Sequence, residues 1–222
     1  MTSLTDFFSR KWENDINEAF AESYREVNML LVEDYLKELI AIPFQDFLDF
    51  VRSDIYSPFV LSSDVPQFSN IDSATKKICE VLSSRDIKGY KFEEIGELLQ
   101  PGKTQDIVAN KKYGENHVKT ASDLGLCFLF KGRYYISPIG VLFPKLSQYQ
   151  QDQLLARFAL RNSFVFTVIR KAMSGLDVSI ADEISFLSES TVKRRKNNCL
   201  IMCKLIQKNR DVDVEPIVSK IE

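Results

Sequence analysis

The apolar positions of the first forty residues fall at steps of three and four. In "LTDFFSRKWENDINEAF" (4–20), Leu4, Phe7, Phe8, Trp12, Ile16 and Phe20 form one stripe of a helix, with Ser3 or Thr5 as its cap. "YREVNMLLVEDYLKELIAI" (24–42) continues with Tyr24, Val27, Leu30, Leu31, Tyr35 and Leu39, and no Gly or Pro interrupts before Pro43. The pattern predicts one helix to about Ile42, or two joined near 21–23. A further helix over about 44–55 carries Phe44, Phe47, Leu48 and Val51 on one side. "YSPFVLSSDVPQFSNIDS" (56–73), with Pro58, Pro66 and several serines, predicts a linker.

The pattern then shortens. "SATKKICEVLSS" predicts a helix with Ile78, Val81 and Leu82 inward, "GYKF" a short extended piece, and "FEEIGELL" a short helix. "QPGKT" breaks the chain at Pro101 and Gly102. "DIVANKKYG" and "ENHVKTASDLGL" predict a helical run with a weak point at Gly114. "CFLFKGRYYIS" is two apolar strands around Lys131-Gly132-Arg133, a hairpin signal. "PIGVLFPKL" closes the block with a helical turn. Helix, short strand, helix, turn, helix, hairpin is the order of a winged helix-turn-helix. Three short helices cannot close a core alone, and the hairpin supplies the missing wall.

The last third repeats part of that order. "YQQDQLLARFALRNSFVFTVIRKAMSG" predicts two helices breaking near 161–163, with Asn162 or Ser163 as a cap and Gly175 as the stop. "DVSIADEISF" is a short helix opened by Ser179. "LSESTVKRRKNNCLIMCKLIQK" is a long helix capped by Ser188 or Ser190. This is a second helix-turn-helix with no clear wing, and the tail "NRDVDVEPIVSKIE" is polar and unassigned. The expected fold is therefore mainly α: a helical head (1–56), a linker (57–72), a winged helix-turn-helix with a small β-hairpin (73–146), a second helix-turn-helix (147–210) and a tail (211–222).

Charge adds an asymmetry to this order. Residues 1–70 hold 5 Lys+Arg and 13 Asp+Glu, and residues 71–222 hold 24 and 18. An acidic head on a mildly basic body suggests two tasks, the head serving as a dimer or docking surface. No apolar run reaches bilayer length, and "MTSLTDFFSRKWEND" lacks the basic-then-apolar order of a signal peptide, so a cytoplasmic protein without membrane contact is expected. Cys79, Cys127, Cys199 and Cys203 form no close pair and have no neighbouring His, so buried free thiols are expected and no metal. His117 is the single histidine. The chain has no GxSxG, no HExxH and no glycine-rich dinucleotide turn, and "PGKT" lacks the upstream glycine and strand of a phosphate loop. The carboxylates of "EDYLKEL" and "DFLDFVRSD" lie on helices rather than at a strand end. No enzymatic activity of its own and no cofactor are expected.

The binding chemistry gathers at two places. On the helix starting near Ser188, Val192, Cys199, Met202, Cys203 and Ile206 share the core side. Lys193, Arg194 and Asn197 lie opposite, with Arg195 and Lys196 on the flanks. Ser188, Ser190 and Thr191 crowd the N-terminus, where free N–H groups and a partial positive charge favour phosphate. Arg reads guanine and Asn reads adenine at base edges. In the first unit Val118, Ala121 and Leu124 turn inward, and Asn116, Lys119, Thr120 and Asp123 are expected outward, preceded by Lys111 and Lys112. Lys131 and Arg133 at the hairpin tip are placed to reach a groove or a phosphate. The competing reading is a protein–protein adaptor built from the same modules and the acidic head.

"FEEIGELL … KKYGENHVKTASDLGL … YYISPIGVLF", followed by "LSESTVKRRKNNCLIMCKLI", resembles the tandem helix-turn-helix, winged-helix-like modules attached to bacterial restriction endonucleases and related DNA-defence proteins. The resemblance covers about residues 71–208. It implies that the third helix of each unit meets double-stranded DNA, through Asn116, Lys119 and Thr120 in the first and Ser190, Thr191, Lys193, Arg194 and Asn197 in the second. The chain departs from those proteins in lacking a nuclease core and in its acidic head. That departure implies a recognition or regulatory subunit, acting as a homodimer or beside a separate catalytic chain.

Overall fold

The computed structural model describes residues 3–22, 27–53, 55–68, 70–71, 73–84, 88–102 and 106–222. Tyr24 of the head stripe and Lys103 and Thr104 of "PGKT" lie outside the described residues. In chain order the elements are α1 (Leu4–Ser9), α2 (Lys11–Glu22), α3 (Met29–Ala41), α4 (Phe44–Arg52), α5 (Ile78–Ser83), α6 (Phe92–Leu99), α7 (Ile107–Asp123), β1 (Cys127–Phe130), β2 (Arg133–Ile136), α8 (Pro138–Leu142), α9 (Gln148–Ala159), α10 (Ser163–Met173), α11 (Ile180–Glu183), α12 (Glu189–Cys203) and α13 (Glu215–Val218). A π turn, Ser73–Lys77, leads into α5, and 3-10 turns extend α8 and α12 through Lys145 and Lys208. The chain is mainly helical, with one two-stranded antiparallel sheet among the described residues. None of the described helices is long and apolar enough to cross a membrane.

Two compact units form, each from two stretches of chain: Met1–Leu39 with Asn70–Ser147, and Ile40–Ser69 with Gln148–Glu222. The helices of residues 1–56 are therefore shared out. α1, α2 and nearly all of α3 belong to the hairpin-bearing unit, and α4 to the unit of the C-terminal helices.

In the first unit Ser3 caps α1, its hydroxyl accepting from Asp6 N–H. Arg10, at φ 56°, then breaks the expected continuous helix. Phe7, Phe8 and Phe20 are buried with Val32, Tyr35, Leu36 and Leu39, as their spacing requires. The expected weak point at Gly114 is absent, because α7 runs unbroken from Ile107 to Asp123. The glycine has a tertiary reason instead. A Cβ on Gly114 would lie 1.9 Å from Phe92 O, and one on Gly96 1.9 Å from Asn110 O, so α6 and α7 touch backbone to backbone. The hairpin pairs Cys127 with Ile136 through Phe130 with Arg133. Lys131 (φ 47°) and Gly132 (φ 77°) make its two-residue turn, where both central positions need positive φ. Tyr90 adds a single bridge to Tyr134, exchanging hydrogen bonds of 2.8 and 2.9 Å.

In the second unit α9 is buried on nearly all sides. Asn162 caps α10, accepting from Val165 N–H, and Ser179 caps α11. The tail is structured. Val214, Val218 and Ile221 fall at steps of four and three, and all three are buried. Ile221 bridges Val178, and Ile180 N–H donates to Glu222 O at 2.7 Å. Residues 62–67, read as linker, are strapped along α12. Arg195 Nη1 donates to Ser62 O (3.2 Å) and Val65 O (3.3 Å), and Asn198 Nδ2 donates to Gln67 O (2.8 Å). All four cysteines are free and buried.

Candidate nucleic-acid interface

α12 begins with Ser188 in the capping position, but its hydroxyl makes no capping bond to the backbone. It lies instead 2.8 Å from Thr191 Oγ1. Thr191 N–H donates to Ser188 O at 2.8 Å, so among the described residues the N–H groups of Glu189 and Ser190 are the open ones at this helix end. Glu189 in the first turn suits the helix dipole and opposes an incoming phosphate. Cys199, Met202, Cys203 and Ile206 are buried and Val192 is half-buried, the core stripe read from the sequence. Ser190, Lys193, Arg194, Lys196 and Asn197 are exposed. Among the described residues, Lys193, Arg194 and Lys196 have no ion-pair partner.

Arg195 behaves differently from its neighbours. It is half-buried, and its guanidinium is spent on the carbonyls of Ser62 and Val65. Burial and the adjacent Arg194 charge both pull its pKa below the usual arginine range. The signal was available: Arg195 precedes the buried Cys199 by one helical turn, on the core-facing flank.

Four of the first unit's five candidate cations are paired, Lys111 being the exception among the described residues. Lys112 and Lys119 both bind Glu115, at 3.1 and 2.7 Å. The Lys119 hydrogen bond, then that of Lys112, holds the Glu115 carboxyl below the usual range against the opposing effect of burial. Lys131 meets Glu22 at 3.2 Å. Arg133 donates from Nε to Gly89 O (2.7 Å) and from Nη2 to both Glu94 oxygens (3.2 and 2.9 Å), so it ties β2 to the start of α6. Lys111 is exposed and Asn116 half-buried. Thr120 does not share the outward face expected of it. It is buried, and its hydroxyl donates to Asn116 O at 3.0 Å, one turn back on α7, so it is spent within the helix. The exposed start of α7 is apolar instead: Ile107 and Val108 are 71% and 75% accessible.

His117 is a structural residue, 1% accessible. A carbonyl only accepts, so Nδ1 carries the proton and donates to Tyr113 O (2.8 Å), and Nε2 accepts from Ser73 Oγ (2.9 Å). Burial, with the Lys77 charge adding to it, holds its pKa below 6.5 despite the Tyr113 carbonyl. The folded chain therefore binds this proton more weakly than the unfolded chain. The stability His117 gives is complete above pH 6.5 and is lost as pH falls below it. Urea denaturation at pH 7.5 and pH 5.5 should show a loss of up to about 1.4 kcal/mol per pH unit from this group. In His117→Gln that acid-dependent part should disappear.

Among the described residues no three His, Cys, Asp or Glu side chains gather as metal ligands would. Compared with protein-family models, with curated proteins and with solved structures, the chain matches none.

Proposed function

We propose that the second unit binds double-stranded DNA, with the N-terminal half of α12 in the major groove. Ser188, Ser190, Thr191 and Lys193 serve as phosphate ligands, and Arg194 and Asn197 face base edges. The observation that carries this reading is the contrast in neutralisation. Lys193, Arg194 and Lys196 stand exposed without an ion pair among the described residues, whereas Lys112, Lys119, Lys131 and Arg133 are each committed to a carboxylate. The second unit as a whole carries 13 Lys+Arg and 13 Asp+Glu. Its attraction for a polyanion is thus local to α12, which favours a seated complex over diffuse coating.

On this reading α5 to β2 form a winged helix-turn-helix, and α10 to α12 a second helix-turn-helix. The resemblance to modules of bacterial restriction and DNA-defence proteins suggests a cytoplasmic recognition or regulatory subunit, working as a homodimer or beside a separate catalytic chain. A second reading applies to the first unit. Its third helix offers Ile107 and Val108 to solvent beside the single unpaired candidate cation Lys111, which suits an apolar protein partner and the adaptor role. A salt titration of the full chain against a random duplex pool, with sequencing of the retained DNA, tests the proposal. Affinity should fall linearly on log axes with added salt, and one motif should be enriched. No binding at 50 mM salt leaves only the adaptor.

A further inference from the structure

We infer that the turn at residues 61–64, strapped to α12, serves as the wing that the second helix-turn-helix lacks in sequence, and grips a DNA phosphate beside the reading helix. The inference rests on the proposal that α12 enters DNA.

Three observations converge on this turn. The first is its position. At 100° per residue, Arg195, Asn198 and Cys199 lie on one side of α12, and Ser190, Lys193, Arg194 and Asn197 on the adjoining side. The strap is bonded along the first set through Ser62 O, Val65 O and Gln67 O, so it borders the exposed cationic face on the Arg194 and Asn198 edge. The second is its rigidity. Leu61 N–H donates to Asp64 Oδ2 (2.8 Å), Asp64 N–H to Leu61 O (3.0 Å), and Asn162 Nδ2 to Asp64 O (3.0 Å). A phosphate ligand held by the scaffold loses little freedom on binding.

The third is its chemistry. Ser62 and Ser63 are exposed at the tip, and among the described residues neither backbone N–H has an acceptor. Two N–H groups and the Ser62 hydroxyl are the donors that seat phosphate oxygens without reading sequence. The Asp64 carboxylate opposes an anion, but its oxygens already accept from Leu61 N–H and Ser63 Oγ (3.4 Å). Arg195 is in this view a positioning residue that acts through the strap and not on DNA.

The test uses the full chain and a fluorescent duplex pool at fixed salt. Ser62→Glu with Ser63→Glu should bind about tenfold more weakly than the parent, since it adds two charges at phosphate range. Ser174→Glu, at the exposed end of α10, should change binding less than twofold. A photo-crosslinking residue replacing Ser63 should attach to the duplex, and one replacing Ser174 should not. The crosslink decides the matter if the double variant folds poorly. Binding that is sensitive to Lys193→Ala with Arg194→Ala, together with no crosslink from position 63, overturns the wing and leaves the α12 reading standing. No duplex binding by the parent chain overturns both.

Discussion

Arg157→Met should destabilise the transition that contains the second unit by about 2–5 kcal/mol, the cost of leaving its buried carbonyl partners without a donor. The side chain is 0% accessible. Its Nη1 donates to Gln153 O (2.9 Å) and Oε1 (2.6 Å), its Nη2 to Ile40 O (3.2 Å) and Ile42 O (2.9 Å), and its guanidinium lies 5.5 and 5.2 Å from the Phe44 and Phe47 rings. The contrary expectation is reasonable, because burying a charge is expensive and apolar replacement of buried ion pairs is often neutral. Burial itself lowers the Arg157 pKa to about 10. The folded chain then binds this proton more weakly than the unfolded chain, so this residue alone would add stability as pH rises above about 10. The decision falls on its partners. Two of them are the Ile40 and Ile42 carbonyls at the C-terminal end of α3, which accept no bond within the helix and lose their donor with methionine. Each orphaned carbonyl costs about 1–3 kcal/mol. Arg157→Lys keeps a charge but cannot fork to both sets, and should fall between the two. Urea denaturation of the three proteins measures this, and a loss below about 1 kcal/mol for methionine would show that water reaches those carbonyls.

Arg157 also marks where reading the sequence ends. Local period and capping chemistry were legible: the Phe7–Phe8–Phe20 stripe, the Asn162 and Ser179 caps, and the Lys131-Gly132 turn are all where short-range rules place them. The partner of each amphipathic helix was not, since a stripe states that a face is buried and not against what. The acidic head consequently divides between the units, and the 62–67 linker becomes a strap. Gly114 was misread for the same reason. A glycine that weakens a helix and one that admits another backbone at 1.9 Å look identical in one dimension.

Neutralisation of the candidate cations splits along the same line. Glu115 lies three residues from Lys112 and four from Lys119, a pairing that helical spacing announces. Glu22 for Lys131 and Glu94 for Arg133 come from distant segments and are visible only once folded. The tail carried a signal that its polarity masked, the Val214, Val218, Ile221 spacing.

Lys193→Ala, Arg194→Ala and Lys196→Ala together should weaken duplex binding by about 10²–10³-fold near 100 mM salt and reduce the salt slope by about 2, at about 0.9 for each lysine that neutralises a phosphate, Arg194 reading a base edge instead. Exposure and the lack of ion pairs make the folded state indifferent to the change, so stability should move by less than about 0.5 kcal/mol. Arg195 is kept out of the set because removing it would release the strap and confuse lost contacts with lost structure. The comparison set is Lys112→Ala, Lys119→Ala and Lys131→Ala in the first unit. These remove the same formal charge, but each cation already has a carboxylate beside it, so the loss should stay within about fivefold. Arg194→Ala alone separates the two tasks of the helix. A base contact costs about 1–3 kcal/mol on the preferred site and relaxes preference at one position, whereas a phosphate contact weakens all sequences alike. Equal losses from both triple sets would mean that overall charge governs binding, and that α12 has no privileged place in it.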